Sequence, residues 1–200
     1  MDQNLDNKMT FEKNNYQIIN NFIENDFIDF IQDYYSLKVN CGNYQINQDK
    51  FTYGYYFEND FLMETILQNC CESLSQIIGI NLLPTYSCVN FHMNGDKYES
   101  DTGKSSEMSA ILFLGTSGDE SDLINFGEDK TNFSQINLSK GDLFIYKNLG
   151  YKCWREEINN KWILESVLNF VDSKGEYKDF IYDKRSYLGF PKNIENLNGD

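Results

Sequence analysis

The 200-residue chain contains one histidine, His92. That scarcity excludes any metal centre built on two or more imidazoles. Basic residues are also few: 17 Lys and Arg stand against 31 Asp and Glu, giving a formal charge of −14. Such a surface repels phosphate backbones and anionic membranes, so direct nucleic-acid binding is disfavoured. The acids are scattered, which reads as a solvated face rather than a DNA mimic. No apolar run reaches the roughly 18 residues a spanning helix needs. Met1 to Asp6 lacks the basic and apolar regions of a signal peptide. The expectation is a soluble, cytoplasmic protein without a membrane segment.

Five cysteines, at 41, 70, 71, 88 and 153, show no C-x-x-C spacing, and their number is odd. Reduced, mostly buried thiols follow, in a reducing compartment.

What the chain does have is aromatics: 15 Phe and 14 Tyr within a 16% aromatic content, with only two prolines. Flat rings suit pleated surfaces and favour sheets. The length fits one domain, with residues 1–14 a flexible segment, 15–192 the folded unit and 193–200 a flexible tail. Tyr16 to Asn20 reads as a strand. A helix follows from about Glu24, with Phe27, Phe30, Ile31, Tyr34 and Tyr35 at helical spacing. Residues 43–49 read as a turn and Phe51 to Phe57 as a strand. A second helix starts after an N-cap at Asn59 or Asp60. It carries one apolar stripe through Met63, Ile66, Leu67, Cys70, Leu74, Ile77 and Ile78, and stops at Gly79.

Beyond Gly79 the pattern turns to short strands: 87–93, 109–114, 122–126, 135–138, 142–146, 163–171 and 180–182. Turn residues separate them. Helices first and strands afterwards predict a mainly β, α+β domain: a jelly roll with N-terminal helices supporting one sheet. Neither Gly141-Asp142 nor Gly115 to Asp119 has the spacing of a phosphate loop.

Several ordered segments carry a resemblance. They are Asn59 to Phe91, which includes Gly79 to Ser87, then Asn94-Gly95-Asp96, Ser106 to Gly115, and Gly141-Asp142 to Arg155-Glu156. The tail Val171-Asp172 to Asp183-Lys184-Arg185 and Leu188 to Pro191 completes the set. Together these span about 150 residues, on the order of one domain. The chain resembles the prolyl-4-hydroxylase-like 2-oxoglutarate/Fe(II)-dependent dioxygenases, in a branch found in bacteria and phages. The resemblance implies a double-stranded β-helix, a cupin-like jelly roll.

It also implies where the metal would sit, and those positions are changed. The family's His-x-Asp maps to Ser100 and Thr102, or one residue later, with Asp101 the nearby carboxylate. The second histidine maps to Cys153, with Trp154, Arg155 and Glu156 around it. The basic residue that would anchor 2-oxoglutarate falls in Ile163 to Ser166, where Glu165 would repel a carboxylate. The cosubstrate tyrosine maps to His92, and Asn90 stands where an arginine is frequent. Tyr86 and Arg155 join these as candidate cavity residues.

Alternatives remain at this point. His92, Asp101 and Cys153 form a possible substitute metal set. Cys153 is either a small residue filling a vacated ligand position or a reactive thiol favoured by Lys152 and Arg155. Arg155 either grips an anion or pairs with Glu156 or another acid. The expected function is a binding or interaction module on a catalytically degenerate dioxygenase fold. It would carry no cofactor and would bind an unidentified protein or small molecule. The alternative is a divergent oxygenase using Fe(II) and 2-oxoglutarate at an unconventional site, hydroxylating a protein or small molecule.

Overall fold

The computed structural model describes residues 10–46, 54–99, 106–118 and 123–189. Eleven strands and two long helices make up most of them. The helices are α1 (Asn25–Asn40) and α2 (Phe61–Ile78). One seven-stranded antiparallel sheet takes the order β1 (Tyr16–Ile19), β9 (Leu143–Lys147), β6 (Met108–Thr116), β11 (Trp162–Asp172), β4 (Leu82–Met93), β3 (Tyr55–Glu58) and β2 (Gln45–Ile46). A four-stranded sheet faces it, in the order β5 (Tyr98–Glu99), β10 (Lys152–Arg155), β7 (Ile124–Asp129) and β8 (Asn132–Ile136). Two facing antiparallel sheets with a helical layer behind the larger one form the jelly roll that the strand pattern predicts, in the double-stranded β-helix form that the resemblance implies.

The large sheet is covered on both faces, and its central strands show it. All but the last residue of β6 and all but the two ends of β11 are buried. Leu112, Leu114, Leu164 and Leu168 pack with Met63, Leu67, Cys70 and Leu74 of α2 on the helical side. Ile111, Phe113, Ile163 and Val167 face the small sheet and meet Ile124, Phe126 and Cys153 there. Opposite-facing alternation thus assigns each strand residue to one of two cores.

Helix α2 follows its sequence signals. Asp60 caps it, accepting from the Leu62 amide at 3.0 Å, and Gly79 ends it in the left-handed conformation at φ 73°. The same Asp60 carboxylate accepts from Tyr34 and Tyr35 hydroxyls and from the Lys38 ammonium, all on α1. One side chain therefore ties the start of α2 to the second half of α1.

Four expectations change. The buried stripe of α1 is Ile28, Ile31 and Tyr35, whereas Phe27 and Phe30 are 41% and 54% exposed and stack on each other. The stripe shares Ile31 and Tyr35 with the sequence reading but is rotated by one position. Residues 180–182 belong to a 3-10 segment, Lys178–Lys184, not a strand. Strand β4 begins at Leu82 rather than Ser87 and contains Pro84. Pro84 lies opposite Phe170, beside the irregularity between Leu168 and Phe170, where a missing N–H is tolerated. Within the N-terminal segment expected to be loose, Phe11 is fully buried in the helix-side core.

The 3-10 segment leads to a second anchor. The Arg185 guanidinium donates to both Glu64 oxygens, at 2.6 and 3.2 Å, and to the Thr85 carbonyl, while the Gly189 amide also meets Glu64. Both charged side chains are at most 1% exposed. The end of the described chain is held against α2 and β4 by this buried pair.

Candidate functional site

The mouth of the barrel is set by three strands. On β4, Cys88, Asn90 and His92 share the face that looks toward the small sheet. Across the ladder, Asn90 pairs with Glu165 and His92 with Ile163 on β11. On β10, Cys153 and Arg155 point inward, and Arg155 pairs with Tyr98 of β5. A cavity of about 680 Å³ opens here, its wall including Tyr55, Asn90, His92, Tyr98, Trp154 and Arg155.

Behind the cavity wall, Glu165 organises Arg155 and His92. It is fully buried, accepts from Arg155 Nη2 at 2.6 Å, and lies 3.2 Å from His92 Nε2. Burial by itself raises a carboxyl pKa. Here the charge of Arg155 and the hydrogen bond and charge of His92, together with the Arg155 hydrogen bond, outweigh it and pull Glu165 down to about 2. The acid is therefore a fixed anion across the physiological range. An ionised Glu165 is acceptor-only, so the hydrogen between the two side chains sits on His92 Nε2. His92 Nδ1 makes no hydrogen bond among the described residues.

Cys153 sits beneath this row without lining the cavity. Its thiol is fully buried, and burial, with the Glu165 charge, pushes it up to about 12 despite Arg155 and a hydrogen bond with Tyr146. Lys152, the expected activator, faces the other way and pairs with Glu99. Of the two readings of Cys153, the geometry supports the small packed residue: it lies in an apolar core with Phe126, Phe144 and Tyr146.

The polar residues around Tyr146 are satisfied among themselves. Ser109 and Ser106 donate to Asn169 Oδ1, and Asn148 donates to both serine hydroxyls. Tyr146 hydrogen-bonds to Ser109 and to Cys153. This region of the interior is thus occupied by a connected polar cluster.

The structure brings together Asn90, His92, Arg155 and Glu165. Tyr86 is half-buried on β4 and does not line the cavity. Ser100, Asp101 and Thr102 follow β5 in the chain and lie outside the described residues. Arg155 finds its acid in Glu165; Glu156 instead accepts from the Trp154 indole at 3.2 Å. Among the described residues no group of three or more His, Cys, Asp and Glu side chains is arranged to hold a metal ion. The sequence reading missed Tyr55, Tyr56 and Tyr98 as wall residues. No local sequence signal marked Tyr98; only the pairing of β5 with β10 sets it opposite Arg155.

No family model matches the sequence, and no curated protein does. The fold, however, has many solved counterparts. A Pseudomonas putida prolyl-4-hydroxylase superposes with a TM-score of 0.67 at 9% identity, over 86% of this chain and 100% of that one. A Trichoplax adhaerens prolyl hydroxylase, solved with a hypoxia inducible factor peptide, gives 0.66 at 13% identity, covering 86% and 91%. The non-heme alpha ketoglutarate dependent epimerase SnoN from nogalamycin biosynthesis gives 0.68 at 10% identity, covering 85% and 83%. The chain has the fold of the 2-oxoglutarate/Fe(II) oxygenases. In particular, it is similar in structure to the prolyl hydroxylases among them.

The residues of this chain do not fit the cofactors of that fold. A facial metal site takes two histidines and a carboxylate, and this sequence holds one histidine. The buried anion Glu165, not a base, stands on the strand from which the cosubstrate anchor would come.

Proposed function

We propose that this protein is a catalytically degenerate 2-oxoglutarate/Fe(II) oxygenase fold that acts as a binding or interaction module through the cavity at the barrel mouth. One observation carries the reading. Glu165 is held ionised by Arg155 and His92, a buried acid on the strand where a dicarboxylate would need a basic anchor. Arg155 is already engaged by that charge. The buried, protonated thiol of Cys153 adds support, because a metal would have to strip its proton against a pKa near 12. The partner is a protein or small molecule, encountered in the cytoplasm. Nucleic acid is disfavoured by the −14 charge.

Calorimetric titration of chelator-stripped, reduced protein with Fe(II) or Mn(II) under anaerobic conditions, with and without 2-oxoglutarate, tests this. The expected result is no stoichiometric heat for either. One-to-one metal binding strengthened by 2-oxoglutarate, with succinate released on admitting oxygen, would replace the reading with that of a divergent oxygenase.

A further inference from the structure

The aromatics that helical periodicity would bury on α1 form an exposed stripe instead. Phe27, Phe30 and Leu37 are 41%, 54% and 62% exposed, and with Tyr34 they fall at spacings of three and four along one line of the helix. Phe27 and Phe30 stack with their planes 6° apart. Phe27 also walls a groove of about 540 Å³ between the start of α1 and α2, lined by Phe22, Ile23, Leu62 and Ile66 among others. Single exposed apolar side chains are ordinary, but a stripe joined to an apolar groove marks a place where another surface sits.

The charges say what kind of surface that is. Lys38 is the only base on the two helices, and Asp60 engages it. Every other charged residue on them is an acid. Asp26 and Asp33 are the i−4 and i+3 neighbours of Phe30, which sets them beside the stripe, and Glu24 lines the groove. None of these three carboxylates has a partner among the described residues. A second copy of the chain would bring the same acids together across a two-fold contact. Nucleic acid and anionic membrane would be repelled outright. A basic protein surface is the complement.

The backbone narrows its shape. Peptide groups within α1 and α2 are spent on their own helices, so a segment laid across them must satisfy its backbone by itself, as a helix does. From Phe27 to Leu37 the stripe runs about 15 Å along the axis, which about three turns of a second helix would cover.

We propose that the outer face of the helical layer docks a basic amphipathic helix of another protein. Its apolar side chains would lie on Phe27, Phe30 and Leu37 and enter the groove, with its Lys or Arg flank against Glu24, Asp26 and Asp33. This face is separated from the barrel mouth by the large sheet, so the proposal goes beyond the binding role of the cavity and does not depend on it.

Fluorescence anisotropy with synthetic peptides of about 18 residues tests it. One peptide carries Leu on one helical face and Lys on the other; a second has Glu in place of Lys; a third has the Leu and Lys order scrambled so that no apolar face forms. The Leu-Lys helix should bind the full chain saturably at one-to-one stoichiometry, and more weakly as salt is raised. The Glu and scrambled peptides should bind at least about tenfold more weakly. Phe30→Ser with Leu37→Ser, both at exposed positions, should cost about tenfold while leaving the urea midpoint in place. Asp26→Lys with Asp33→Lys should turn the preference toward the Glu peptide. Absence of binding, or equal binding by the scrambled peptide or by the Phe30→Ser, Leu37→Ser protein, would overturn the proposal and leave only general attraction to an acidic chain. Two other results would also overturn it by giving the face to a different occupant: a dimer that the Phe30→Ser, Leu37→Ser variant abolishes in sedimentation, or binding to phosphatidylcholine vesicles that the same variant abolishes.

Discussion

Arg155 and Glu165 lie 2.6 Å apart inside the barrel, with side chains 2% and 0% exposed. Each is the reason the other can be buried. A pair of this kind is costly to break because the surviving charge has no water to return to.

Replacing Arg155 by Met, or Glu165 by Gln, should therefore destabilise the fold by about 3–5 kcal/mol in urea unfolding. Replacing both with apolar residues should cost much less than the sum, and a double-mutant cycle will show the coupling. Additive losses would mean that the pair carries no mutual stabilisation.

The acid limb of the stability curve carries the same signature. Glu165 is lowered in the folded state from an ordinary value of 4.5 to about 2. A depressed carboxyl stabilises the fold above its unfolded pKa, and that contribution is lost as pH falls through the folded pKa. Wild-type stability should thus drop between about pH 4.5 and 2 by a few kcal/mol more than that of Glu165→Gln. Thermal melts across that window will measure the difference, and parallel curves would contradict the assignment.

Arg185 and Glu64 make the matching prediction for the chain's far end. Both are buried, and Arg185 reaches them from a segment that packs on β4 and α2. Arg185→Met, or truncation before Arg185, should each cost about 3–5 kcal/mol because Glu64 is then left buried and unpaired. Glu64→Gln restores part of the loss in the truncated chain; equal stability of full-length and truncated proteins would refute the role of the segment.

Thiol counting checks the interior. Cys41 is exposed, while Cys70, Cys71 and Cys153 are buried. Burial pushes Cys71, Cys88 and Cys153 up to about 12 and raises Cys70 as well. A disulfide-exchange reagent at neutral pH should label one thiol quickly in the native protein and five after denaturation. Rapid labelling of Cys153 in a Cys41→Ser variant would contradict its buried position.

The sequence carried the fold well where a signal was local. The cap at Asp60, the stop at Gly79 and the stripe between them could be read directly, as could the short apolar runs of β6, β9 and β11. The face of α1 could not, because Phe27 and Phe30 have the right spacing and only tertiary packing decides that Ile28 takes their place. The site was half legible. Asn90, His92, Arg155 and Glu165 could be named one by one, but nothing in linear order says that Glu165, ten residues after Arg155, returns to it across the barrel. That contact depends on β10 and β11 belonging to different sheets, a property of topology rather than of spacing.

Asp60 closes the account of the helical layer. One carboxylate answers four groups: an amide of its own helix, two hydroxyls and an ammonium from the other. The two helices are thereby joined to each other directly, and not only through the sheet on which both lie.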